Sequence, residues 1–71
     1  MKLDKNIIET IVRNRFGNVS VIRFKDVNHW NTIPVSFLDV DNMGTLWNIE
    51  LKDYIKFRRK YLIGKYLENN E

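Results

Sequence analysis

The apolar residues of this chain change their spacing twice, and those changes limit the folds open to it. Ile7, Ile8, Ile11 and Val12 stand at i, i+1, i+4 and i+5, which gathers four branched side chains on one side of a helix over residues 4–16. Asp4 or Asn6 is placed to cap that helix, with Glu9 three residues after Asn6, and Gly17 supplies the stop after Phe16. From residue 19 the period falls to two. VSVIRFK (19–25) and IPVSFLDV (33–40) are rich in β-branched and aromatic residues and read as strands, with a third over 45–49. Pro34 has no N–H for a ladder, so it belongs at the start of its strand or on a sheet edge. DVNHWN (26–31) reads as the connecting loop. Beyond Glu50 the period returns to 3.6, and a second helix is expected over 50–68. Its buried arc is predicted to be Leu51, Ile55, Leu62 and Tyr66, with Tyr54 and Tyr61 beside it and Glu50 and Asp53 in its first turn.

The element order is therefore α-β-β-β-α. A single small α+β domain follows, in which a three-stranded antiparallel sheet is packed by two helices, because one sheet can cover both apolar stripes. If both helices take the same face, the other face of the sheet stays open. Along strand 1, Val19, Val21, Arg23, Lys25 and Val27 alternate with Ser20, Ile22, Phe24 and Asp26, and Arg23 and Lys25 are expected on the open face.

The chain has 71 residues and no Cys. A domain of that size buries only about 60% of the surface its unfolded chain exposes, so its core must hold it unaided by disulfides, or with a partner that makes an oligomer. Apolar runs are short against the roughly 20 residues that span a bilayer, and Met1-Lys2-Leu3-Asp4 does not lead into a secretory signal, so a cytoplasmic protein with no membrane contact is expected. Twelve Lys and Arg against nine Asp and Glu give a net charge of +3, a balance that suits an anionic partner without requiring one. The absence of Ala and Gln beside nine Asn, eight Ile and seven Lys fits AT-rich codons, as in a low-GC bacterium, plasmid or phage.

DVDNMGTLWNIE (39–50) carries Asp39, Asp41, Gly44 and Glu50 at positions 1, 3, 6 and 12 of a calcium-binding EF-hand loop. Met43 stands where that loop needs an oxygen ligand, and a strand, not a helix, precedes it. The stretch reads instead as a β-hairpin closed by Asp41-Asn42-Met43-Gly44, with Gly44 at positive φ. No metal or cofactor is expected. An enzyme is not expected either: there is one histidine, His29, Ser20 and Ser36 sit in strands with no oriented base, and the three glycines are isolated.

Basic and aromatic residues remain. Lys52, Lys56, Arg59 and Lys60 fall on one flank of the second helix, and with Arg13, Arg23 and Lys25 they form the candidate nucleic-acid-binding set. Tyr54, Phe57, Arg58, Tyr61 and Lys65, joined by Trp30, form a candidate surface for a protein partner, since Tyr, Trp and Arg most often anchor interfaces. The element order resembles that of the double-stranded-RNA-binding domain, a family that grips phosphates with lysines at the start of its last helix. Here that helix opens Glu50-Leu51-Lys52-Asp53, which lacks the cluster. A sheet followed by a helix also resembles the sheet-in-groove DNA readers of plant AP2 factors and phage integrase arms, on the short match Gly44-Thr45-Leu46. The expectation is a non-enzymatic regulatory binding module for nucleic acid, with a protein-docking inhibitor or accessory subunit as the alternative.

Overall fold

The computed structural model describes residues 2–69, with side chains through residue 64. Its elements run α1 (Lys5–Phe16), β1 (Ser20–Phe24), β2 (Thr32–Leu38), β3 (Gly44–Glu50) and α2 (Leu51–Asn69), the order read from the sequence. The three strands form one antiparallel sheet in the order β1-β2-β3.

Asp4 caps α1: its side chain accepts from the Asn6 N–H at 2.8 Å. At the other end Gly17, at φ 80°, donates its N–H to the Arg13 carbonyl at 2.9 Å. Ile7, Ile8 and Val12 are buried and Ile11 packs against them, so the branched stripe of α1 faces the core as its spacing requires.

The sheet meets that stripe with Ile33, Val35 and Phe37 of β2 and Ile49 of β3, all buried in one cluster with α1 and Tyr54 of α2. Both helices therefore lie on one face of the sheet. Phe16, at the end of α1, contacts Phe37 at 4.8 Å and meets Trp47 edge-on at 5.0 Å between ring centroids, so Trp47 is a packing residue.

Four local expectations change. Pro34 sits third in the central strand, not at its start or on an edge. Its carbonyl accepts from the Lys25 N–H at 3.0 Å, so its ring nitrogen points to the same side, beyond Phe24, the last residue of β1. The missing donor falls where the ladder has already ended. The second change is in β1. Ser20 pairs with Leu38 and Arg23 with Ser36, so one extra residue is accommodated between them. This bulge reverses the alternation: Val19 points inward, Val21 outward with φ 52°, and Ile22 and Phe24 inward.

Third, residues 39–44 close a hairpin, but the positive φ belongs to Asn42 (58°) and not to Gly44, which opens β3. The Asp39 carboxylate shapes the turn by accepting from the Asp41 and Met43 N–H groups at 2.9 and 3.0 Å. Fourth, α2 turns a different face to the core. Tyr54 is 0% exposed and Leu62 is 46% exposed. The helix packs through Tyr54, with Leu51, Ile55, Phe57 and Tyr61 partly buried around it. The expected Leu51 and Ile55 do meet the core, but the face is centred on Tyr54 and leaves Leu62 out. The Tyr54 hydroxyl accepts from the Asp4 N–H at 2.9 Å, tying the cap of α1 to α2. Glu50, expected in the first turn of α2, ends β3 instead, and Tyr66 lies outside the described side chains.

Candidate functional site

Alternation in a sheet sends every second side chain away from the helices. Given the register, Pro34 and Ser36 of β2 and Leu46 and Asn48 of β3 share the outer face with Arg23 of β1. Two adjoining shallow depressions cover this surface. One is lined in part by Arg23, Lys25, Pro34, Ser36, Leu46 and Asn48, and the other adds Val21, Leu38 and Gly44. Among the described residues, neither helix contributes to either. Leu46 is 85% exposed and Val21 54%, so apolar as well as cationic groups stand in water there.

Charge is not spread evenly over this face. β1 is an edge strand, so Arg23 and the following Lys25 form a basic rim along one side. The floor is neutral: Ser36 and Asn48 supply hydrogen-bonding groups, and Pro34 and Leu46 supply apolar contact. The carboxylates lie at the margins. Glu50, at the end of β3, pairs with Lys52 at 3.2 Å, and Asp39 is engaged in its own turn.

The remaining candidates occupy other surfaces. Arg13 reaches Glu9 at 3.5 Å across one turn of α1, in an exposed pair worth about 0.3–0.5 kcal/mol. Lys52, Lys56, Arg59 and Lys60 are exposed on α2 and at about 100° per residue centre opposite Tyr54. They project from the side of α2 turned away from the core, whereas Arg23 and Lys25 project from the sheet face turned away from both helices. The two basic groups expected to act together are thus separate surfaces.

The aromatic candidates also divide. Tyr54 is committed to the core, and Phe57 and Tyr61 are half-buried against it, so this set does not form an open docking face. Leu51 and Ile55 pack against the core beside them, and Leu62 alone of the described aliphatic arc is exposed. Arg58 is exposed, and Lys65 lies outside the described side chains. Trp30 is 72% exposed and meets His29 in a tilted contact, with ring centroids 3.7 Å apart. It is held by a built turn, in which the Asn28 side-chain oxygen accepts from the Trp30 N–H, the Thr32 N–H and the Thr32 hydroxyl at 3.0–3.1 Å.

Ser36, Leu46 and Asn48 were not among the sequence candidates. Alternation counted outward from Arg23 finds Ser36 once the strands are in register. The one charged residue of β3, Glu50, reads from the sequence as the start of the second helix, so it does not mark the outer face of the strand. Comparison of the chain with family models, curated proteins and solved structures finds no match.

Proposed function

We propose that the chain is a non-enzymatic binding module that contacts nucleic acid through the outer face of its sheet. One observation carries the reading: the face that both helices leave uncovered combines a basic rim with a neutral floor of hydrogen-bonding and apolar groups. Phosphate contacts fix position and base-edge contacts confer sequence preference, and the two need different chemistry side by side. Arg23 and Lys25 supply the first kind. Asn48 and Ser36 supply donors and acceptors for base edges, and Leu46 an apolar partner for a thymine methyl group. The major groove of B-DNA is about 12 Å wide and admits β-ribbons as well as helices.

Salt dependence tests this directly, because each neutralised phosphate releases condensed counterion and contributes about −0.9 to the slope of log K against log salt. The double substitution Arg23→Ala, Lys25→Ala is expected to flatten the slope by about 1.8 and Arg59→Ala to leave it unchanged. Asn48→Ala is expected to reduce the preference among sequences with little change in slope. If Arg59→Ala flattens the slope and the sheet variants do not, α2 is the phosphate surface, for which four contacts predict a slope near −3.6. Failure to retain any duplex DNA or RNA at about 50 mM salt eliminates the reading.

A further inference from the structure

The protein carries a second surface, unrelated to the sheet face. α2 buries Tyr54 in the core and packs Leu51, Ile55, Phe57 and Tyr61 partly against it, so the half-exposed Leu51 and Ile55 and the more exposed Leu62 run along one edge of the helix. At about 100° per residue these three fall within roughly 40° of one another, a line about 16 Å long at 1.5 Å per residue. The exposed Trp30 continues the line beyond the start of the helix, because the Asn31 carbonyl accepts from the Leu51 N–H at 2.8 Å and docks the Trp30 turn there. Trp30, Leu51 and Ile55 line one groove.

This apolar line has cations on both sides. Lys52, Lys56 and Arg59 flank it on one side and Arg58 on the other, all exposed. Lys52 pairs with Glu50, but among the described residues no carboxylate lies within ion-pair distance of Lys56, Arg58 or Arg59. Arg58 and Arg59 stand between Ile55 and Leu62, one on either side of the line, and guanidinium groups match carboxylates in a bidentate fork.

We infer that this edge of α2 docks an acidic amphipathic helix of another protein, whose apolar anchors meet Leu51, Ile55 and Leu62 and whose carboxylates meet Arg58 and Arg59. Charge argues against a second copy of this chain. A two-fold pairing with antiparallel helices sets the Lys52, Lys56, Arg59 flank against itself, and a parallel pairing sets it against Arg58, so either places cations on cations. Shape argues against a membrane, because interfacial helices bury a wide apolar face and α2 has spent its wide face on the core. A nucleic-acid backbone leaves the apolar line without a role. Helix-in-groove recognition uses anchors at helical spacing with flanking charge, and this edge offers both.

The probe is a labelled synthetic helix of roughly 18 residues, about 27 Å long, with Leu at i, i+4 and i+11 and Glu at i+7 and i+8. A control peptide carries Lys at the two Glu positions. By fluorescence anisotropy the Glu peptide is expected to bind the full chain at least about tenfold more tightly than the Lys peptide, and Leu62→Asp to weaken it about tenfold. Leu62 is exposed and outside the residues packed on the core, so that variant is expected to keep its fold, checked by its thermal melt. Arg58→Glu with Arg59→Glu is expected to invert the preference toward the Lys peptide while duplex binding through Arg23 and Lys25 is retained, which separates this inference from the sheet reading. Equal binding of both peptides, binding of neither, or indifference to Leu62→Asp and to the charge reversal overturns it. So does capture of the chain by phosphatidylserine vesicles in place of the Glu peptide, or a concentration-dependent dimer that Leu62→Asp abolishes.

Discussion

The two faces of the sheet are built from the same strands and have opposite fates. On the inner face Ile33, Val35 and Phe37 are all buried, in one cluster with Ile7, Ile8 and Val12 of α1. On the outer face the intervening positions hold Pro34 and Ser36, with Arg23 on one neighbouring strand and Leu46 and Asn48 on the other. The buried core is concentrated on one side of a single layer, and exposed basic, polar and apolar groups stand on the other. Among the described residues, three strands and two helices are present and none of them covers the second face. Full burial of a Val or Leu side chain is worth about 1.5–3 kcal/mol, so leaving Val21 and Leu46 in water forgoes a contribution that the fold never collects.

Core truncation is the largest effect with which to break this comparison. Ile8→Ala and Ile33→Ala are each expected to cost about 2–5 kcal/mol, enough to threaten the fold of a domain this small. Leu46→Ala, on the outer face, is expected to fall within about 0.5 kcal/mol of the parent in urea unfolding. If Leu46→Ala costs as much as Ile33→Ala, and the cost grows with protein concentration, the outer face is covered by another molecule in solution.

The next effect tests which side of α2 faces inward. Tyr54→Phe removes the acceptor of the Asp4 N–H while keeping the ring, and is expected to cost about 1–2 kcal/mol. Leu62→Ala is expected to change stability by less than about 0.5 kcal/mol. The reverse ranking, with Leu62→Ala the more damaging, would restore the aliphatic arc as the buried face.

What was legible in the sequence, and what was not, follows the same division. α1 was readable because its four branched aliphatics, Ile7, Ile8, Ile11 and Val12, lie on one stripe, so only one rotation buries them. The inner face of β2 was readable because strict alternation leaves no choice. α2 was not, since it has two apolar lines whose centres lie about 105° apart at 100° per residue. Periodicity weighs the lines equally, but only the one through Tyr54 finds both a sheet and a hydrogen-bond donor beneath it. Arg23 and Lys25 were placed correctly on the open face, but Val19 was not. The bulge adds one residue to β1 alone, and nothing in VSVIRF announces it.

A smaller effect concerns the turn that sets the register between β2 and β3. Asp39→Ala removes a side-chain acceptor used by two backbone N–H groups, in an exposed turn where water replaces part of the loss. About 1 kcal/mol is expected. Asp39→Asn keeps the acceptor oxygen and is expected to recover most of it. If Asp39→Asn is as costly as Asp39→Ala, the turn depends on charge and not on the hydrogen bonds.

The smallest effect lies in the bulge, where the two faces of β1 exchange places. Val21 is β-branched and sits at φ 52°, a left-handed conformation that costs an L-residue roughly 1–2 kcal/mol and is worse for branched side chains. Glycine removes that strain but loses about 0.5–1 kcal/mol more conformational entropy on folding. Val21 is 54% exposed, so little burial is lost with its side chain. The two terms leave Val21→Gly more stable than the parent by about 0.5 kcal/mol. Val21→Ala keeps the Cβ and most of the strain and is expected to gain less. The bulge also aims Arg23 outward opposite Ser36, and strained backbone is tolerated where it positions a working group. Val21→Gly is therefore expected to gain slightly in thermal midpoint while weakening the salt-dependent binding of duplex DNA, because the freed backbone holds Arg23 less firmly. A variant that gains stability and binds unchanged would show that the bulge merely fits an extra residue into the edge strand. One that loses stability would show that the valine contributes more to the outer face than its exposure indicates.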